Sequence, residues 1–507
     1  MLKRLLLFIS CILCAVSVKA GIPTGATLSV DYSIEGAASY YVATDGSDSS
    51  GDGSISNPWQ SLAYAMDTIP TGNSVIYLRG GNYGRHYKLS QDGWGNTGWV
   101  TVKPYPGEEV IFTSFELSFD GRYYPTNFRV DGIKINMVND TYLDVFLIRG
   151  GENIDIRNMV VTGYDRFVGG SSGINISSAN NVLIYHNEIT NISKGIQTSA
   201  LSTTPATGLT ISENKIYHLS GSTPISYGAY LSNAVISRNN LYDSIDDRNI
   251  PIEEKTHGSC VSIRSGDIIV KENYCRNMGS SSGVMLYTDT GTPTAYSNIY
   301  FYNNVFYDIY NQYIIRLYRI GENIEIKNNT IVGSLMDAYS GSWKLSLPIA
   351  AHSYGDSYDG SGVVIANNIL AGRCILPDLA TVTGNIMYSV SLLSAETNML
   401  SELSGNIVLT NDTDEPVDYF TSEFFSTSIS LAMLHGQQYT MQLHPASTAK
   451  LYGDNPLALT TSIGDVGEGG FVSPPVSTTA RKSSGAREYI MPKRLFRNVR
   501  VSDEVEP

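Results

Sequence analysis

Ile299-Tyr-Phe-Tyr-Asn-Asn304-Val-Phe306 and Ile324-Glu-Ile-Lys-Asn-Asn329-Thr-Ile331 repeat one pattern: a short strand with alternate apolar residues, an asparagine, and an apolar residue two places on. Further copies stand at Val182-Leu-Ile-Tyr-His-Asn187-Glu-Ile189, Leu209-Thr-Ile-Ser-Glu-Asn214-Lys-Ile216, Ile268-Ile-Val-Lys-Glu-Asn273-Tyr-Cys275 and Val363-Val-Ile-Ala-Asn-Asn368-Ile-Leu370, with Asn239 fitting between Asn214 and Asn273. Successive asparagines lie 27, 25, 34, 31, 25 and 39 residues apart. The shortest steps match one solenoid coil, and the longer ones loop out the excess. Apolar residues at every second position point into a common interior, as half-buried strands require. Asparagine suits a recurring corner because it tolerates left-handed backbone and its amide can bond to the coils above and below. The pattern predicts that Asn187, Asn214, Asn239, Asn273, Asn304, Asn329 and Asn368 stack along one edge. An antiparallel sandwich gives no reason for such a ladder.

Upstream, Tyr40-Tyr-Val-Ala-Thr-Asp-Gly-Ser-Asp48 and Asn57-Pro-Trp-Gln-Ser-Leu-Ala-Tyr-Ala-Met66 read as a strand, a turn and an amphipathic helix opened by Pro58. Trp59 to Met66 then cover the apolar N-terminal end. The fold class predicted is all-β, a single-stranded right-handed parallel β-helix with an N-terminal capping helix. Residues 40–410 form the solenoid, after an N-terminal extension at 21–39. Residues 411–470 lack the repeat and read as a C-terminal cap region. Residues 471–507 read as a linker and a basic, disordered tail.

The first 20 residues have a charged start, an apolar run from Leu5 to Val18 and the small-residue end Val18-Lys19-Ala20, which reads as a signal peptide. The alternative is a short membrane anchor, but the run falls below the roughly 20 residues that span a bilayer. The mature chain is therefore expected outside the cytoplasm, secreted, periplasmic or at the cell surface, as a monomer without a membrane span. Its remaining cysteines, Cys260, Cys275 and Cys374, have no metal-ligand spacing. They read as buried core residues, with a Cys260–Cys275 disulfide as the alternative. The net charge is −14, and seven basic residues between Arg481 and Arg500 make the body more acidic still. Such a body repels nucleic acid and anionic lipid, so an anionic substrate needs a local cationic cluster or a bound cation.

The order Tyr40-Tyr-Val, Gly46-Ser-Asp48, Asn57-Pro-Trp59, Leu78-Arg-Gly-Gly-Asn-Tyr83 and Lys103-Pro-Tyr-Pro-Gly-Glu108 resembles the opening of extracellular β-helix polysaccharide lyases. These are the alginate lyase and chondroitinase B type of family six and the pectate lyases of family nine. The resemblance covers residues 40–112 specifically and 113–410 as generic coils. It implies an acidic, uronic-acid-containing polysaccharide cleaved by β-elimination. Laying Ile263-Arg-Ser-Gly-Asp267 on the family-six pattern puts Arg264 where that family has a proton-abstracting lysine. Gly283-Val-Met-Leu-Tyr-Thr-Asp289 puts Tyr287 where it has an Arg-His pair. The clustered aspartates and downstream lysine of family nine are loosely matched by Asp243, Asp246, Asp247 and Lys255.

The strand before each asparagine turn offers outward side chains to a long groove. Aligning Gly173-Ile-Asn-Ile176, Gly195-Ile-Gln-Thr198, Gly228-Ala-Tyr-Leu231, Cys260 to Arg264, Gly283 to Tyr287, Ile314 to Tyr318 and Pro348 to His352 gives an outward column. It runs Asn175, Gln197, Tyr230, Ser262 with Arg264, Met285 with Tyr287, Arg316 with Tyr318, and His352. Tyrosine offers a flat face to sugar rings and arginine a two-pronged grip on carboxylate or sulfate. Tyr230, Tyr318 and His352 are the expected substrate-binding residues. Arg264, Tyr287 and Arg316, with Lys255 and His257 from the loop between Asn239 and Asn273, are the expected catalytic ones. Asp246, Asp247 and Glu253 in that loop could hold Ca2+, although a solvated polar loop explains them as well. Two other functions use the same groove: a glycoside hydrolase, which needs two facing carboxylates, and a non-catalytic polysaccharide-binding or adhesion protein.

Overall fold

The computed structural model describes residues 22–28, 36–88, 97–118, 125–138, 144–164, 171–220, 223–244, 259–278, 282–286, 296–309, 313–318, 321–333, 335–337, 343–345, 347–352, 362–366, 368–371, 380–383, 386–389, 407–410, 465–467 and 470–472. The chain winds as a parallel β-solenoid. One coil shows the path: Ser172–Ser177 in sheet I, Asn180–Tyr185 in sheet II, Glu188–Ile192 in sheet III, then Lys194–Ser199 back in sheet I beside its starting strand. Sheet I has 10 strands and sheets II and III have 13 each, every neighbour within them parallel and one coil away in sequence. Among the described residues, antiparallel pairs occur outside these sheets, at Leu335–Asp337 with Trp343–Leu345 and at Asp465–Gly467 with Gly470–Val472. The second pair spans the 470/471 boundary read from the sequence.

The interior follows from strand alternation. In sheet II the register stacks Ile154, Val182, Leu209, Ala234, Ile268, Ile299, Ile324 and Val363 in one column, all buried. Burying each aliphatic side chain of this size stabilises the fold by roughly 1.5–3 kcal/mol, so repeated coils build one continuous core.

All seven corner asparagines are buried and stacked as expected. The Asn187 Nδ2 donates to Asn214 Oδ1 at 2.9 Å, and the relay continues through Asn239, Asn273, Asn304 and Asn329 to Asn368 at 2.9–3.0 Å per step. The second Nδ2 hydrogen reaches back to a carbonyl of the previous coil, as from Asn239 to Ile211 O at 3.0 Å. Each Oδ1 also accepts a backbone N–H, as from Asn214 N to Asn239 at 3.0 Å. One amide therefore ties three coils.

A second column occupies the corner entering sheet II, where Asn127, Asn153, Asn181, Asn298 and Asn323 hold left-handed backbone with φ between +50 and +61. Their amides link Asn153 to Asn127 at 2.6 Å, Asn181 to Asn153 at 2.5 Å and Asn323 to Asn298 at 2.8 Å.

The helix expected over Trp59–Met66 is shorter. Leu62–Thr68 forms it, with Ser61 as N-cap, and it buries Leu62, Ala65 and Met66 in the core. Pro58 does not open it. The Asp48 carboxylate takes the Gln60 and Ser61 N–H groups at 2.8 and 2.9 Å, while Trp59 bridges to Val42 in extended backbone. Seven helical residues packed on the first strands fall short of the cap read from the sequence. No helix among the described residues is long and apolar enough to cross a membrane.

Cys260 and Cys275 are both buried and joined as a disulfide, with Cα atoms 6.3 Å apart. The alternative to free core thiols is thus the one realised. It links a sheet I strand to the sheet III strand of the same coil. Cys374 lies outside the described residues.

Two outcomes follow. Replacing Asn239 by Ala strands the Asn214 N–H and the Ile211 carbonyl together, at about 1–3 kcal/mol for each buried group. Chemical denaturation should show a loss of about 3–5 kcal/mol, and Asn239→Asp, which faces an acceptor at Asn273, should be no milder. Non-reducing peptide mapping should recover the Cys260–Cys275 pair, and Cys260→Ala should cost about 2–4 kcal/mol.

Candidate functional site

Sheet I carries the face on which the sequence places the chemistry. Its strands alternate strictly: Ile174, Ile196 and Ile225 point into the core, so Asn175, Gln197 and Ser226 point out. The register row through these positions reads Leu147, Asn175, Gln197, Ser226, Ser262, Met285, Arg316, Ala350. Two residues farther along the strands runs a parallel row through Arg149, Ser177 and Ser199. The Arg264 N–H donates to Tyr227 O at 2.8 Å, which sets Arg264 in the same row, next to Gly228. Tyr318 and His352 are paired at its C-terminal end.

Arg264 and Arg316 therefore project from one face, two strands apart, or about 10 Å along the axis at about 4.8 Å per strand. Both are partly buried. Sequence reasoning missed Arg149, an exposed cation at the end of Asp144–Arg149, four strands or roughly 19 Å from Arg264. Its signal was the run Val145-Phe-Leu-Ile-Arg149, in which Ile148 faces in and Arg149 out.

Cations elsewhere hold carboxylates. Arg129 and Arg157 hold the buried Asp155 at 2.6 and 2.5 Å, Arg79 holds Glu108 at 2.8 Å, and Arg238 holds Glu213 at 2.7 Å. Arg149 makes no ion pair with a described residue. Glu116, the carboxylate nearest in register, is itself held by Arg85 at 3.3 Å.

Tyr230 is not in the row. That coil's sheet I strand is Ile225–Tyr227, and Ser226 takes the outward place. Tyr227 faces the core and donates its hydroxyl to Gly266 O at 3.1 Å. Burial, with the Asp267 charge, pushes its phenol far above the usual range, so it stays protonated and is no base. Gly228, aligned by analogy with Gly173 and Gly195, is instead a close approach whose N–H donates to Thr198 O at 2.8 Å. Tyr230 follows on the turn, exposed, with φ +60. The alternation Ile225-Ser-Tyr227 was the signal that identifies this strand.

Lys255, His257, Tyr287, Asp246, Asp247 and Glu253 lie outside the described residues. The strand Ser282–Leu286 ends next to Tyr287, and Met285 pairs with Arg316 and Ser262. Among the described residues no group of three His, Cys, Asp or Glu side chains is placed to hold a metal ion.

No protein-family model and no curated protein matches the chain. Solved structures do. A rhamnogalacturonan lyase is 13% identical over 79% of this chain and 93% of that one, with a TM-score of 0.43. Pectate lyase Pel9A is 13% identical over 89% and 96%, with a TM-score of 0.40. A mannuronic acid specific polysaccharide family 6 lyase from human gut microbiota is 12% identical over 69% and 89%, with a TM-score of 0.41. Lyases of both classes named by the sequence resemblance are thus among the proteins it is similar to.

The cations projecting from sheet I should read out as polyanion affinity. In native gels cast with polygalacturonate or alginate, Arg149→Ala and Arg316→Ala should each migrate with less retardation than the parent. The turn variant Tyr230→Ala should match the parent. Equal retardation of all three variants and the parent would remove sheet I as the polyanion face.

Proposed function

We propose that the chain is a secreted polysaccharide lyase that cleaves an acidic, uronic-acid-containing polysaccharide by β-elimination along sheet I. The observation that carries the reading is the projection of Arg264 and Arg316 from one groove face of a chain whose net charge is −14. An anionic polymer is drawn to the place where the field reverses.

The reaction removes the proton at C5, moves its electron pair into a new C4–C5 double bond and expels the C4 oxygen, which takes up a proton. Charge builds on the C5 carboxylate as the proton leaves. A guanidinium gripping that carboxylate stabilises the transition state more than the ground state, the largest electrostatic contribution such a site makes, and the second arginine, about two strands away, holds the acid of a neighbouring sugar. Tyr287, Lys255 and His257 are the candidates for the proton-abstracting group, and Tyr318, His352 and Arg149 for holding neighbouring sugars. A Ca2+ ion at Asp246, Asp247 and Glu253 would supply the same carboxylate neutralisation as arginine.

A hydrolase needs two facing carboxylates. Among the described outward side chains of sheet I, Glu116 is a carboxylate already paired with Arg85. The elimination reading therefore has the better support.

Incubation with alginate, pectate and chondroitin sulfate should yield products with the ultraviolet absorbance of an unsaturated uronate from one of them. Reducing ends without that absorbance would indicate hydrolysis, and binding without chain shortening would indicate an adhesion protein. On the responsive polymer, Arg316→Ala should lower kcat/KM on the order of 10²-fold, and Tyr287→Phe should lower kcat at nearly constant KM if its phenol handles the proton. Chelation that abolishes turnover, restored by Ca2+, would assign the neutralising role to the acidic loop.

A further inference from the structure

Between Asn181 and Asn233 the column of left-handed residues entering sheet II lacks a rung. In register with Asn181 on one side and Asn233 on the other stands Gly208, with φ +78 and no side chain to bridge them. Residues 22–28 lie across that gap. Thr24 N and Gly25 N both donate to Asn233 Oδ1, at 2.7 and 3.1 Å. Ala26 N donates to Thr210 Oγ1 at 2.9 Å, and Thr27 N to Asn181 Oδ1 at 2.7 Å. In return Asn233 Nδ2 donates to Gly25 O at 3.2 Å. Four consecutive backbone donors are thus satisfied by side chains from three successive coils, more than 150 residues away in sequence.

The geometry is commensurate. Two coil steps between Asn181 and Asn233 cover about 10 Å, and three extended residues from Thr24 to Thr27 span about the same. The segment runs along the solenoid axis, perpendicular to the strands. Gly25 fits for a second reason, since its φ is +77 and an added side chain would run into Thr210 Oγ1 and Val235 Cγ2.

We propose that residues 22–28 are an axial clasp that stands in for the missing rung at Gly208 and locks three coils together. The clasped strands Asn180–Tyr185, Ala206–Ser212 and Leu231–Ser237 each follow directly the sheet I strand bearing Asn175, Gln197 or Ser226. Docking of the clasp therefore holds the N-terminal half of the groove, and its release loosens that half while the buried asparagine corner stays closed. The clasp is held by hydrogen bonds from the chain's own start, so it docks and undocks without any covalent change.

Hydrogen exchange of the full chain, read by mass spectrometry, tests this with two variants. Gly25→Val lies in the clasp, outside the solenoid, and should expose residues 22–28 and speed exchange of the three clasped strands by at least roughly tenfold, leaving Ile299–Tyr302 unchanged. Gly208→Asn puts a residue that tolerates left-handed backbone at a site where a Cβ meets nothing closer than 3.4 Å. Its amide should fill the rung, so residues 22–28 become exposed while the strands stay protected. Unprotected Ala26 and Thr27 amides in the parent chain, or clasped strands indifferent to Gly25→Val, would overturn the proposal. So would a Gly208→Asn chain that keeps residues 22–28 protected.

Discussion

The buried amide relay from Asn187 to Asn368 is the constraint on which the rest depends. A carboxamide sealed from water costs free energy unless both hydrogens and its oxygen are used. Here each one from Asn187 to Asn329 uses all of them, on the coil before and the coil after. That condition is met only if successive coils superpose with the corner in the same place. A shift of one residue would send every inward aliphatic of the next strands to solvent. Coil pitch, sheet register and the spacing of groups on sheet I are thus consequences of one corner.

How much of this was legible depends on how local each signal is. The asparagine corner could be read because its residue type is nearly forced and its neighbours alternate strictly, as in Ile324-Glu-Ile-Lys-Asn-Asn329. The second column was not, since its demand is for left-handed backbone, which Asn, Gly208 and Asp267 all meet, so its run of asparagines is interrupted midway. The clasp was illegible for a stronger reason: Thr24 and Asn233 meet only after the intervening coils are wound. The start of the helix was misplaced because Pro58 is a general signal, whereas the Asp48 carboxylate that claims the Gln60 and Ser61 amides is a tertiary one.

The candidate site was legible to the extent that it is built from strands. Arg264 and Arg316 follow from alternation alone, and the structure places both on sheet I. The slip at Gly228 arose from letting a glycine set the alignment instead of the apolar pair Ile225 and Tyr227, although a backbone without a side chain marks close approach as readily as strand position. Lys255, His257, Asp246, Asp247 and Glu253 belong to a loop of the sequence where no period applies. Their roles rest on chemistry and proximity in sequence.

A solenoid is in effect aligned against itself, and the comparison separates structure from function within one chain. At the buried corner, seven register-equivalent positions are all asparagine, and in the sheet II core column eight positions are all aliphatic. The register row of sheet I through Asn175 has the same backbone and the same pitch, yet it runs Leu147, Asn175, Gln197, Ser226, Ser262, Met285, Arg316, Ala350. Asn175, Gln197, Ser226 and Arg316 in that row are only partly buried, so core packing does not fix their identity. The change from Asn175 and Gln197 to Arg316 along that row is therefore not explained by the fold alone. Because the ladder sets the pitch, any polymer lying along this face meets a different group at each coil, and the cations it meets among the described residues, Arg149, Arg264 and Arg316, stand at spacings that the ladder fixes.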